Sequence, residues 1–206
     1  MENGQREGSL RERSKARRRA AIERSALRLF TERGYDATTI ADIAADAEVA
    51  PRTVWAYFPT KANLVTSRID AAIRRLRDAV TARPAGMPVL DAVNEWLSHD
   101  EALNDGETLP MYANLFTAQP DLRSFRGEES IHGETAIARA FADELGLRPD
   151  DFAPRAVQGA VFGVISEYVH GAKTANIADL QRARDDAFTF LKAGLSAVAA
   201  STAPAR

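Results

Sequence analysis

A chain of 206 residues, 45% apolar and 27% charged, holds enough hydrophobic material for one or two folded domains with a sizeable core. It has no cysteine, which excludes a disulfide framework, a zinc ribbon and a thiol nucleophile and suits a reducing compartment. No apolar run approaches the roughly 20 residues that span a bilayer, and the basic start lacks a signal peptide's apolar segment, so a cytoplasmic protein with no membrane partner is expected.

The formal net charge of -2 conceals an asymmetry. Residues 1–70 carry 13 Lys and Arg against 10 Asp and Glu, whereas residues 71–206 carry 14 against 19. Within the front part, Arg11, Arg13, Lys15, Arg17, Arg18 and Arg19 are offset only by Glu12, a density suited to a polyanion, because each neutralised phosphate releases counterions. A solvated tail is the competing reading of the same residues. Residues 1–16 are accordingly expected to be a basic, disordered arm.

Glycine and proline are sparse and the alternation of strands is missing, so an all-α protein is predicted. Ile22, Ala26, Leu29 and Phe30 follow helical spacing and Gly34 supplies a stop, giving a first helix from about Arg17 to Arg33. Thr39 followed by Asp42 forms a capping pattern for a short second helix that turns Ile40, Ile43 and Ala44 inward. Pro51 opens a third helix with Val54 and Phe58, and Pro59-Thr60 stops it and caps a fourth that continues to about Thr81. Two short helices joined only by Asp46-Ala47-Glu48-Val49 must cross steeply, the geometry of a helix-turn-helix whose second helix enters the major groove of DNA.

From Ala21 to Val65 the run AIERSALRLFTERGYDATTIADIAADAEVAPRTVWAYFPTKANLV resembles the DNA-binding domain of the TetR family of transcriptional regulators. The telling elements are Leu29-Phe30 with Gly34-Tyr35, ATTI with Ile43-Ala44, AEVAPRT, YFPTK and Leu64. The resemblance implies a three-helix DNA-binding domain over 17–65 and a helical effector-binding and dimerisation domain over 66–206. It implies that Thr38 and Thr39 touch phosphate and that Pro51, Arg52 and Thr53 start the recognition helix. Tyr57 and Lys61 would hold further phosphates, with Arg17, Trp55 and Ala56 completing the DNA-binding set. Three residues depart from the family pattern: Glu48 replaces a turn glycine, Ala50 a serine cap and Trp55 a tyrosine, leaving open whether Trp55 faces DNA or packs under the first helix.

Further helices are predicted over 88–99, 109–118, 121–145 with a break near Gly127 or Gly133, 152–171 and 177–199. Between Ala156 and Ile165 only Gln158 is polar, so that helix must be covered on more than one side. Gly159 and Gly163, one turn apart, with Phe188, Leu191 and Leu195 of the last helix, are the expected interface of a homodimer. An effector site is expected among Trp96, Met111, Tyr112, Phe116, Phe141 and Phe162, with Glu167 as a polar contact. The predicted partners are double-stranded DNA bearing a near-palindromic operator, a small and largely apolar effector, and a second copy of the chain. Hydrolase elbows, phosphate loops and paired metal-ligand histidines are absent from the sequence, so neither catalysis, a metal nor a cofactor is expected. The rival readings are a ligand-independent DNA binder or adaptor, and a small all-α enzyme.

Overall fold

The computed structural model describes residues 2–100, 105–124, 128–171 and 176–202. Among them every regular element is helical: α1 Glu2–Arg33, α2 Ile40–Asp46, α3 Pro51–Tyr57, α4 Asn63–Thr81, α5 Val89–His99, α6 Thr108–Ala118, a 3-10 turn Pro120–Ser124, α7 Glu128–Leu145, α8 Phe152–Gly171 and α9 Ile177–Thr202. Helix α1 starts at Glu2 rather than near Arg17, so the expected disordered arm is helical: Leu10 to Arg19 are almost all strong helix formers and no proline interrupts the chain ahead of them. Helix α7 runs through Gly133 without a break, and Gly127 lies outside the described residues.

The chain forms two compact units, residues 1–67 with 114–125 and residues 68–113 with 126–206. In the first, the α1 stripe of Ile22, Ala26, Leu29 and Phe30 is buried against Ile43 and Ala44 of α2, Val54 of α3, and Phe58, Leu64 and Val65. Each fully buried large side chain contributes on the order of 1.5–3 kcal/mol, enough to hold short helices that would not persist alone. Arg28 joins α1 to α2 through an ion pair with Asp46 and also pairs with Glu32 at 3.0 Å. The Arg28 guanidinium, followed by the Ser25 hydroxyl, holds the Asp46 carboxyl below its ordinary pKa. That pair neutralises an acid at the C-terminal end of α2, where the helix dipole disfavours it.

In the second unit one hydrophobic core gathers Leu76 and Val80 of α4, Leu90, Val93 and Leu97 of α5, Ile137 and Phe141 of α7, Val161 and Tyr168 of α8, and Phe188, Leu191 and Leu195 of α9. Pro88, at the N-cap of α5, offers no side-chain hydrogen bond, and the Val89 N–H donates instead to Glu144 of α7 at 2.7 Å. Arg75 of α4 donates two hydrogen bonds, 2.6 and 3.0 Å, to Asp100, and Arg68 donates one of 2.8 Å to Asp105. Partial burial pushes the Asp105 carboxyl up, but N–H donors from Thr108 and Glu107, the Thr108 hydroxyl and Arg68 outweigh it and bring the pKa down to about 2.

Candidate nucleic-acid interface

The recognition surface begins at a capping box. The Asp42 N–H donates to Thr39 Oγ1 at 3.1 Å and the Thr39 N–H to Asp42 Oδ2 at 2.8 Å, which satisfies two otherwise orphaned donors and sets the start of α2. Hydrogen bonds from the Thr39 side chain and backbone hold the Asp42 carboxyl below its ordinary pKa. Helix α2 then ends in a Schellman turn: the Val49 N–H reaches Ala44 O at 2.9 Å and the Glu48 N–H reaches Ala45 O at 3.2 Å. Glu48 occupies the left-handed position of that turn with φ 54°, so the residue that replaces the family's glycine carries about 1–2 kcal/mol of backbone strain. Ala50 caps α3 without a side-chain hydrogen bond, and Pro51 takes the first turn with its φ already suited to a helix.

Helix α3 buries Val54, with Phe58 just beyond it, and turns Pro51, Arg52, Trp55 and Ala56 outward. Trp55 is 46% exposed, which answers the question left open by sequence: it does not pack under α1. Thr53 and Tyr57 flank this face and are half-buried. Arg52 is exposed at the first turn, so its planar fork is free to meet an acceptor pair on a base edge.

Two cations clip the domain together around α3. Arg19 of α1 donates to the Tyr57 carbonyl at 3.1 Å and lies 4.4 Å over the Phe58 ring, satisfying a carbonyl at the end of α3 while adding a cation–π contact. The Lys61 Nζ donates to the carbonyls of Tyr35 at 2.5 Å and Asp36 at 3.5 Å, and lies 4.3 Å from the Tyr35 ring centre. Of its three N–H donors, at most one then remains for a phosphate.

Thr38 departs from expectation. It is 1% exposed, and its hydroxyl donates to Gly34 O at 2.8 Å and Leu29 O at 3.3 Å, so it closes the α1–α2 connection and has no access to phosphate. Thr39, by contrast, is exposed, and Arg17 is exposed on α1. Sequence reasoning missed Gln119. Its side-chain amide donates to Phe30 O at 2.7 Å while its oxygen accepts from the Tyr35 N–H at 2.9 Å, closing the end of α1 at a separation of more than 80 residues, where no local sequence signal exists.

The expected effector residues divide. Phe141 is fully buried, Trp96 and Tyr112 are buried, and Met111 and Phe162 are half-buried, all in the second unit. The Trp96 Nε1 is buried without a hydrogen-bond partner among the described residues. Phe116, half-buried on the same helix α6 as Met111 and Tyr112, falls in the first unit, and Glu167 stands exposed on α8.

The expected interface residues also divide. Phe188, Leu191 and Leu195 form the inward stripe of α9 and are core. Both sides of that helix are apolar, and periodicity alone could not say which side the core would take. The outward stripe holds Ala183, Phe190, Gly194 and Ala197, with Phe190 77% exposed. On α8 the outward stripe is Phe152, Ala156, Gly159, Ala160, Gly163 and Ser166, followed by Glu167 and His170, with Phe152 86% exposed. A Cβ added at Gly159, Gly163 or Gly194 would meet no atom within 4 Å.

Two family models match this chain. "Bacterial regulatory proteins, tetR family" matches residues 22–67, and "MftR C-terminal domain" matches residues 88–196. The HTH-type transcriptional regulator TcmR of Streptomyces glaucescens is 32% identical over 169 residues, covering 78% of this chain and 74% of that protein. Among solved structures, a tetR family transcription regulator from Shewanella sp. PV-4 superposes with a TM-score of 0.58 at 18% identity, covering 86% of this chain and 97% of that one. The transcriptional regulator FadR of Bacillus subtilis in complex with stearoyl-CoA superposes with a TM-score of 0.52 at 18% identity, covering 85% and 98%.

Proposed function

We propose, for a chain that belongs to the TetR family of non-enzymatic, DNA-binding transcriptional regulators, that it is a homodimeric repressor released from its operator by a small, largely apolar effector. One observation carries the reading: α3 commits Val54 to the core while presenting Arg52 and Trp55 outward from a rigidly clipped domain. Arg52, Trp55 and Ala56 read base edges, while Thr39, Tyr57 and the remaining Lys61 donor hold phosphate. Such a protein acts in the cytoplasm, where it meets DNA, and no described helix is long and apolar enough to cross a membrane.

The dimer is supported by the paired outward stripes of α8 and α9, whose small residues allow close approach and whose two exposed phenylalanines call for a cover. A two-fold axis would then set two recognition helices on successive major grooves, about 34–36 Å apart or at an adapted spacing, which a near-palindromic site matches. The effector lies among the apolar residues of the second unit. It acts through α4, whose residues run from the DNA-binding unit into the core of the second. By linkage it must bind the DNA-free form more tightly.

Sequencing of DNA fragments retained by the purified protein, followed by a screen of metabolites for loss of that binding, tests the proposal. Enrichment of a two-fold symmetric site, and an effector whose affinity falls when that site is bound, are the expected results. Enrichment of no sequence, or equal effector affinity with and without operator, refutes it.

A further inference from the structure

The stripe by which α1 packs in the first unit does not end where the unit ends. Ile22, Ala26 and Leu29 are buried, and the same helical spacing carried backwards passes through Arg18, Lys15 and Arg11. At 100° per residue these six positions fall within roughly 80° of arc, so one face of one continuous helix changes from apolar to basic as it leaves the core. Arg11, Lys15 and Arg18 are exposed, and none is paired with a carboxylate among the described residues. Glu12 lies about 100° from Arg11, off the stripe.

The position of this face is set by Arg19, whose contacts with Tyr57 O and the Phe58 ring tie α1 to the C-terminal end of the recognition helix. From Arg18 to Arg11 the helix rises about 10 Å, comparable to the roughly 12 Å width of a major groove. We propose that Arg11, Lys15 and Arg18 form a rigid strut that grips the sugar-phosphate backbone flanking the groove occupied by α3. Two guanidinium forks and one ammonium, at one-turn intervals on one face, suit successive phosphates of a single strand and carry no base preference. The strut thus adds a phosphate track outside the helix-turn-helix, and it works only while the helix is continuous. This rests on the DNA-binding reading, and it turns the basic segment from diffuse charge into a directed contact.

The test is the salt dependence of binding to a mixed-sequence 40-base-pair duplex, read by fluorescence anisotropy. A triple variant, Arg11→Gln with Lys15→Gln and Arg18→Gln, keeps helix formers at exposed positions. Its slope of log affinity against log salt should flatten by about 2.7 for each protomer bound, or about 0.9 per lost phosphate contact. Ala16→Pro keeps every charge but ends the helix before residue 16, dislodging Arg11 and Lys15, and should flatten the slope by about 1.8. Thermal melting of the triple variant should match the parent because its altered side chains are exposed, and Ala16→Pro should keep one cooperative transition because the buried stripe of α1 begins at Ile22, beyond the turns that the proline ends. A parental slope in the triple variant overturns the contact, and a parental slope in Ala16→Pro overturns the rigid strut in favour of a flexible charged tail. Absence of any salt-dependent duplex binding by the parent protein refutes the DNA-binding reading itself.

Discussion

Gly163→Leu separates the stability of one chain from the stability of the pair. Within a single chain a Cβ at residue 163 meets nothing within 4 Å, so the substitution should not strain the fold. Replacing glycine inside a helix gains about 0.8 kcal/mol of helix propensity, the difference between glycine and leucine. In a two-fold dimer packed through the outward stripe of α8, however, the new side chain is forced into a close-packed contact, where overpacking costs about 1–3 kcal/mol. The symmetry doubles that to about 2–6 kcal/mol, which weakens self-association by roughly 30-fold to 10⁴-fold at 1.4 kcal/mol per decade. Sedimentation equilibrium across a wide concentration range measures the change, with far-UV circular dichroism as the check that helix content is kept. The reference is Gly133→Ala, in which the added Cβ would stand 2.3 Å from Ile73 Cγ2 and should destabilise the chain by about 1–3 kcal/mol. An unchanged dimer for Gly163→Leu, or a fall in its denaturation midpoint like that of Gly133→Ala, refutes the outward stripe as the interface.

Arg52→Ala should cost about 1–3 kcal/mol on the preferred operator and relax preference at one base position per half-site, whereas Lys61→Ala should weaken preferred and scrambled DNA by similar factors. Matched titrations at one salt concentration check both, and equal losses for Arg52→Ala would make it a phosphate contact. Lys61→Ala should also lower the melting temperature, since the ammonium clips the α1–α2 connection at Tyr35 and Asp36. Glu48→Gly should stabilise the protein by about 0.5–1 kcal/mol, the relieved left-handed strain less the added chain entropy, seen as a higher denaturation midpoint. The folded Asp105 carboxyl sits at about 2 against an unfolded value of 3.8, so its stabilisation is complete above about pH 4 and fades as pH falls towards 2. Asp105→Asn should flatten urea midpoints over that window and lower them near neutrality.

Much of the DNA-binding unit was legible because its signals are local. The Thr39–Asp42 capping box, Pro51 at the start of α3 and the strained place of Glu48 all lie within a few residues of the backbone they govern. Dihedral preference and capping act over that range, so sequence by itself determined the order of the helices and the bounds of α2 and α3, although α1 begins at Glu2 where a disordered arm was expected. Neighbouring threonines already exceed it: Thr38 and Thr39 both carry a hydroxyl at the same motif, yet packing turned one towards Leu29 and left the other exposed. The clips formed by Arg19, Lys61 and Gln119 bind groups 38, 26 and more than 80 residues away, and no periodicity records such distances. Helix α9 is apolar on both sides, so spacing named Phe188, Leu191 and Leu195 as readily for an interface as for the core they occupy. Likewise Gly133 and Gly163 are both glycines within long helices, and only the neighbour packed against each distinguishes them. A hydrophobic pattern states that a face must be covered, but which surface covers it depends on contacts distant in sequence, and these the tertiary structure alone decided.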